Sequence, residues 1–178
     1  MSVLPGLRRT ATVLSNAGGV AGGVIVFAMF VLVVVEVVLR NVFSASTHVM
    51  DELVGYGVGA STFLALGWAF QNRALIRIDL LIANIPAAGR RWLELTSGLA
   101  ALLVALFLSW MLWGSTIKDY RRGFTSGTLL DLPIYIPKAL MLVGMLIFTV
   151  ATFTYFVDRI VMLATARHGG EVGDDTML

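Results

Sequence analysis

AGGVAGGVIVFAMFVLVVVEVVL, residues 17–39, decides the fold: it is a 23-residue run with a single charged side chain. At 1.5 Å per residue a helix over it reaches about 34 Å, enough for a hydrocarbon core of about 30 Å. A strand of this length would carry unpaired backbone N–H and C=O groups into lipid, whereas a helix pairs them within itself. A secretory leader would need an apolar core of about 7–15 residues ending at a small-residue cleavage site. This run continues too far, so it is expected to stay attached as a membrane-spanning helix.

Working outward, three more apolar runs are long enough to cross, about residues 53–70, 95–117 and 136–163. The composition agrees: 58% of residues are hydrophobic and 13% charged, against about 25% charged in soluble domains. The expected fold is an all-α membrane protein of four transmembrane helices. The four-span domain would cover residues 1–166, with a mobile tail over 167–178. A net charge of +2 drawn from so few charges marks topology rather than nucleic-acid binding. There is no cysteine, which removes disulfides, thiolate metal sites and cysteine nucleophiles.

Between the second and third spans, residues 73–86 alternate charge with Leu75, Ile76, Ile78, Leu80 and Ile82. Such a segment fits an amphipathic stretch in the headgroup plane, anchored by Arg73, Arg77, Asp79 and the following Trp92. Lysine and arginine divide eight to five between the two sides, which places both termini in the cytoplasm by the positive-inside rule. Trp68, Trp92, Trp110, Trp113, Tyr120 and Tyr135 fall near span ends, as interface-anchoring aromatics do.

Gly18 with Gly22, and Gly55 with Gly59, are small-xxx-small pairs that let helices approach closely. Ordinary glycine abundance in membrane helices explains them equally well. Glu36 is the one carboxylate well inside a span, and such a group is a functional hypothesis by default. It lies near the span end with Arg40 at i+4, the favourable order for a helix ion pair, so structural pairing outweighs ion conduction. Asp51 and Glu52 open the second span, where the helix dipole favours acids; adjacent on a helix, they point about 100° apart and make a poor acid–base pair. His48 and His168 lie on opposite predicted sides, so neither a bis-histidine haem nor a histidine zinc site can form. No nucleophile-elbow, phosphate-loop or metalloprotease motif occurs. Neither an enzyme nor a bound cofactor is expected. With four spans, no internal repeat and no pair of broken helices, a self-sufficient carrier is not expected either.

The order of features resembles a known family over about residues 17–163. Arg40-Asn41-Val42-Phe43 closes the first span before an acidic pair; Ile76-Arg77-Ile78-Asp79-Leu80-Leu81 precedes Pro86, Arg90 and Arg91; Gly123 and Ser126 lead to Leu132-Pro133-Ile134-Tyr135 and Gly144. This is similar to the DctQ-like small membrane subunit of tripartite ATP-independent periplasmic (TRAP) transporters. The match departs where the family commonly has Trp-x-Glu-Glu and this chain has Val49 and Asp51, and where Leu75, Tyr135 and Leu142 replace a frequent His, Trp and Pro.

The resemblance implies a bacterial inner-membrane scaffold that supports a large translocating subunit and helps dock a periplasmic solute-binding protein. The process served would be ion-gradient-driven uptake of an organic acid or similar small solute. Arg40, Asp51, Glu52, Lys118, Arg121 and Arg122 would form the outward rim facing the binding protein. Gly18, Gly22, Gly55 and Gly59 would pack within the bundle or against the large subunit, and membrane lipids would surround the rest. The alternatives are a four-span subunit of an electron-transfer or quinone-linked complex, which haem absorbance would reveal, and a stand-alone channel, which would conduct by itself.

Overall fold

Helix propagation costs far less than initiation, and each apolar run has drawn its flanks into a helix longer than the bilayer requires. The computed structural model describes residues 3–47, 49–72, 87–127 and 131–168. Among them are four helices: α1 Val3–Phe43, α2 Met50–Gln71, α3 Ala87–Arg122 and α4 Tyr135–His168. Each is long and apolar enough to cross a membrane, with mean hydropathies of 2.8, 1.4, 2.1 and 2.2 over the spanning stretches. Residues 73–86, with Arg73, Arg77 and Asp79, lie outside the described residues, as does His48.

The helix ends are set by local chemistry. Ser44 takes a left-handed conformation (φ 49°) after α1, and the Ala45 N–H reaches back to the Leu39 carbonyl at 3.3 Å. Gly123 (φ 61°) closes α3 in a Schellman motif: its N–H bonds to Tyr120 O and the Phe124 N–H to Asp119 O. The chain then folds back on itself, with Ser126 N–H to Leu132 O at 3.0 Å and Ile134 N–H to Phe124 O at 3.1 Å. That short clasp delivers the chain to α4.

Packing runs α1 on α2, α2 on α4 and α4 on α3, and α1 also touches α4. Helix α4 is thus central, while α3 leans chiefly on α4. In lipid no hydrophobic effect drives helices together, so association depends on close packing and interhelical hydrogen bonds. The interior matches that requirement with Ala11, Ser15, Ala60, Ser61, Ala105, Ser109, Ala151 and Thr152, all buried. A Cβ on Gly18 would stand 2.7 Å from the Leu64 carbonyl oxygen, and one on Gly22 would stand 3.0 Å from that of Ser61. On α4, a Cβ on Gly144 would stand 2.6 Å from both Leu64 N and Phe63 O. Both α1 and α4 therefore meet the α2 backbone directly. Thr149, Thr152 and Thr154 each bond a carbonyl one turn back at 2.8 Å, and Ser109 also joins Thr149 across the α3–α4 seam at 3.0 Å.

Large apolar side chains point outward instead: Val20, Val24, Phe27 and Phe30 on α1, and Leu103, Phe107, Trp110 and Met111 on α3 are all more than half exposed. Such faces are far larger than water tolerates and suit lipid or the helices of a partner. At one pole, Arg8 of α1 pairs with Asp158 of α4 at 2.8 Å, and Phe70 of α2 meets Tyr155 of α4 edge-on. Both termini of the helical bundle therefore share that terminal pole. The α1–α2 and α3–α4 connections share the other, the turn pole.

Candidate functional site at the turn pole

The turn pole is organised around Glu36. Its side chain is 2% exposed, although its neighbours on α1, Val35 and Val37, face outward. One turn on, Arg40 donates Nε to Glu36 Oε1 at 2.8 Å. The Ser46 hydroxyl donates to the same oxygen at 2.6 Å. Oε2 accepts the Thr47 N–H at 3.2 Å and its hydroxyl at 2.5 Å. Four donors thus converge on one carboxylate, and a buried charge met in this way is tolerated where an unpaired one is not. The chain leaving α1 is folded back onto the helix, and α2 begins three residues after Thr47.

The sequence reading gave Glu36 its Arg40 partner but missed Ser46 and Thr47. A helical repeat shows what faces a residue one turn away, not what returns to it across a turn. Within this chain Glu36 is a structural acceptor, and both its oxygens are engaged.

The charged residues predicted for the rim gather at this pole. Arg40 keeps a half-exposed side chain while holding Glu36. Asp51 is exposed and Glu52 half-buried in the first turn of α2, with Tyr56 one turn on hydrogen-bonded to Glu52. Lys118, Arg121 and Arg122 are exposed at the end of α3, the last two in its final turn, where the helix dipole favours cations.

A second polar knot lies just inside this surface. Lys138 of α4 donates Nζ to Asp119 Oδ2 and, at 3.0 Å, to Ser115 Oγ, both on α3. Beside it the Tyr120 and Tyr135 rings meet edge-on at 5.2 Å. Sequence reasoning missed this clamp as well, because its partners are nineteen residues apart on separate helices. Lys138→Met is expected to destabilise the chain by about 1–3 kcal/mol, since Asp119 stays partly buried without its cation. Thermal unfolding in mild detergent measures this, and Asp119→Asn in the Lys138→Met background should cost little more.

The predicted packing glycines divide. Gly18 and Gly22 stand at the α1–α2 crossing, and Gly59 abuts the end of the Met141 side chain. Gly55 has open space where its Cβ would be, so it makes no close approach within this chain. Gly67 and Gly144, which had no pairing partner in the sequence, sit against α4 and α2 respectively. Trp92 is exposed near the start of α3, toward the terminal pole. Among the described residues no three His, Cys, Asp or Glu side chains come together as a metal site.

The family of DctQ components of tripartite ATP-independent periplasmic transporters matches residues 29–162, from the middle of α1 to the last turns of α4. The chain belongs to the DctQ family. Comparison with curated proteins and with solved structures returns no match. The DctQ match encloses the Glu36 knot, all six rim charges and the Lys138–Asp119 clamp, and it leaves out more than half of α1, Gly18 and Gly22 included. As a DctQ component the chain is a multi-pass helical membrane protein with a part in transport, not a catalyst.

Proposed function

We propose that this DctQ-family chain is the small scaffold subunit of a TRAP-type secondary transporter in a bacterial inner membrane. It supports the large translocating subunit through its outward apolar faces and helps a periplasmic solute-binding protein dock at the turn pole. The transported solute is an organic acid or similar small molecule, taken up with an ion gradient. One observation supports the docking role above the rest. The charged residues of the turn pole stand at the helix ends that flank connections pinned by Glu36 and by the Lys138–Asp119 clamp, so the backbone that carries them is held in place.

In this reading Arg40, Asp51, Glu52, Lys118, Arg121 and Arg122 face the periplasm, and both termini are cytoplasmic. Arg73, Arg77, Asp79 and Trp92 anchor the second connection at the cytoplasmic surface. Gly18, Gly22 and Gly59 pack within the bundle, leaving Gly55 available to a partner helix. Electrostatic complementarity acts mainly on encounter and register. Reversing Arg121 and Arg122 together to Glu is therefore expected to lower uptake about ten-fold or more at low salt. Co-purification of the two membrane subunits should stay unchanged. Equal loss of uptake and assembly would contradict a docking role.

A further inference from the structure

The charges of the turn pole are segregated by sign. Lys118, Arg121 and Arg122 are exposed at the end of α3, and the acid on the connection that follows is the exposed Asp131. Lys138 and Asp119 cancel within their clamp, so three cations against one carboxylate leave this end basic. The α1–α2 end has the opposite balance. Arg40 and Glu36 cancel in their own pair. What remains is Asp51, exposed in the first turn of α2, with Glu52 behind it, half-buried and bonded to Tyr56.

Helix α4 holds the two ends apart. Gly144 meets the α2 backbone, and Thr149 bonds to Ser109 of α3. Five residues apart, these positions point about 140° apart around α4. With helix axes about 9 Å apart at each contact, α2 and α3 stand roughly 17 Å from one another on separate flanks. That is about twice the Debye length of about 8 Å at physiological salt. Lys118 follows Ser109 by nine residues, two and a half turns, so it points away from α4 and from α2 beyond it. The opposite charges are too distant to neutralise each other, and the pole forms a couple with one positive and one negative flank.

We propose that this couple orients the docked solute-binding protein, which sets an acidic patch over Lys118, Arg121 and Arg122 and a basic patch over Asp51. The inference rests on the docking role given above and adds the chemistry of the partner's surface and its orientation. Charges across an interface act on register and on the exclusion of wrong poses. Matching at two separated points selects one rotation of the partner about the membrane normal, because the half-turned pose brings like charges together at both flanks.

The test is binding of the transporter's own solute-binding protein to the complex of this chain with the large subunit in nanodiscs, measured by surface plasmon resonance at low and high salt. Reversing Arg121 and Arg122 together to Glu should weaken binding about ten-fold at low salt, and Asp51→Lys, of opposite sign, should weaken it about five-fold. Both losses should shrink as salt is raised. The milder Asp51→Asn should weaken binding about two-fold and tests the negative flank even where Asp51→Lys fails to assemble. Tighter binding by Asp51→Lys, or loss at one flank alone, would overturn the couple while leaving docking at this pole in place. Unchanged binding in every variant would overturn the couple and the docking role together, leaving the cations to the lipid headgroups around α3.

Discussion

Glu36→Ala is expected to be among the most damaging single substitutions in the chain, lowering its thermal stability in detergent. The carboxylate is the common acceptor for Arg40 Nε, Ser46 Oγ, Thr47 N–H and Thr47 Oγ1. Hydrogen bonds to a charged group are stronger than those between neutral groups, and all four donors lose their common acceptor. Arg40 and Thr47 are exposed and can turn to water, so the loss falls on the fold-back of the chain onto α1. The larger effect is local: the connection between α1 and α2 loses its tie to α1. Limited proteolysis should cut within residues 44–49 many times faster than in the parent chain. Glu36→Gln keeps the shape and one strong acceptor but turns a donor toward donors, so an intermediate loss is expected. If Glu36→Ala resists protease and heat as the parent does, the carboxylate does not hold the turn.

The second large effect is expected at Gly144. A Cβ there would lie 2.6 Å from Leu64 N and Phe63 O. Those atoms belong to the α2 backbone, which cannot rotate aside as a side chain can. Gly144→Val must therefore push α2 away from α4, losing packing along the whole crossing. Overpacking costs typically 1–3 kcal/mol and more where nothing can yield, so about 3 kcal/mol or more is expected. Glycines of the same bundle supply the controls. Gly59→Ala meets only the end of the flexible Met141 side chain, and Gly55→Ala enters open space. Gly55→Ala should be neutral or stabilising by up to about 1 kcal/mol, the helix-propensity gain over glycine. Thermal unfolding of the three variants side by side checks the order; Gly144→Val as stable as Gly55→Ala would mean that α2 and α4 do not cross so closely.

What could be read in the sequence follows the range of the forces involved. Each spanning segment is a local property, carried by its own apolar residues, and all four were legible. The start of α1 was not: residues 17–39 meet the needs of the bilayer, but the helix runs back to Val3 because extending it through Arg8, Arg9 and Thr10 is cheap. Glu36 with Arg40 was legible because both lie on one helix, one turn apart. Ser46 and Thr47, Asp119 with Lys138, and Gly144 against Phe63 depend on chain reversals that no periodicity encodes. Gly18 and Gly55 show the same limit from the other side. Both carry the small-xxx-small spacing, which identifies a helix face, yet Gly18 meets the α2 backbone while Gly55 has open space and only its pair-mate Gly59 meets a neighbour.

The α3–α4 seam has a consequence for how the chain tolerates changes in length. Along α3 the positions turned inward are Gly98, Leu102, Ala105 and Ser109, steps of four, three and four. On α4, Leu142, Met145, Thr149 and Thr152 step by three, four and three, with Thr149 bonded to Ser109. Spacing of this kind is a heptad pattern, which favours a shallow left-handed crossing of about 20°. Such a seam has a phase. One residue added between Ala105 and Ser109 would rotate the outer part of α3 by about 100°, carrying Asp119 away from Lys138 and swinging the cations of the last turn to another side of the bundle. Seven residues would restore the phase but raise those cations about 10 Å above the membrane surface. Direction and height of the Arg121–Arg122 end are therefore fixed together by the count of residues along α3.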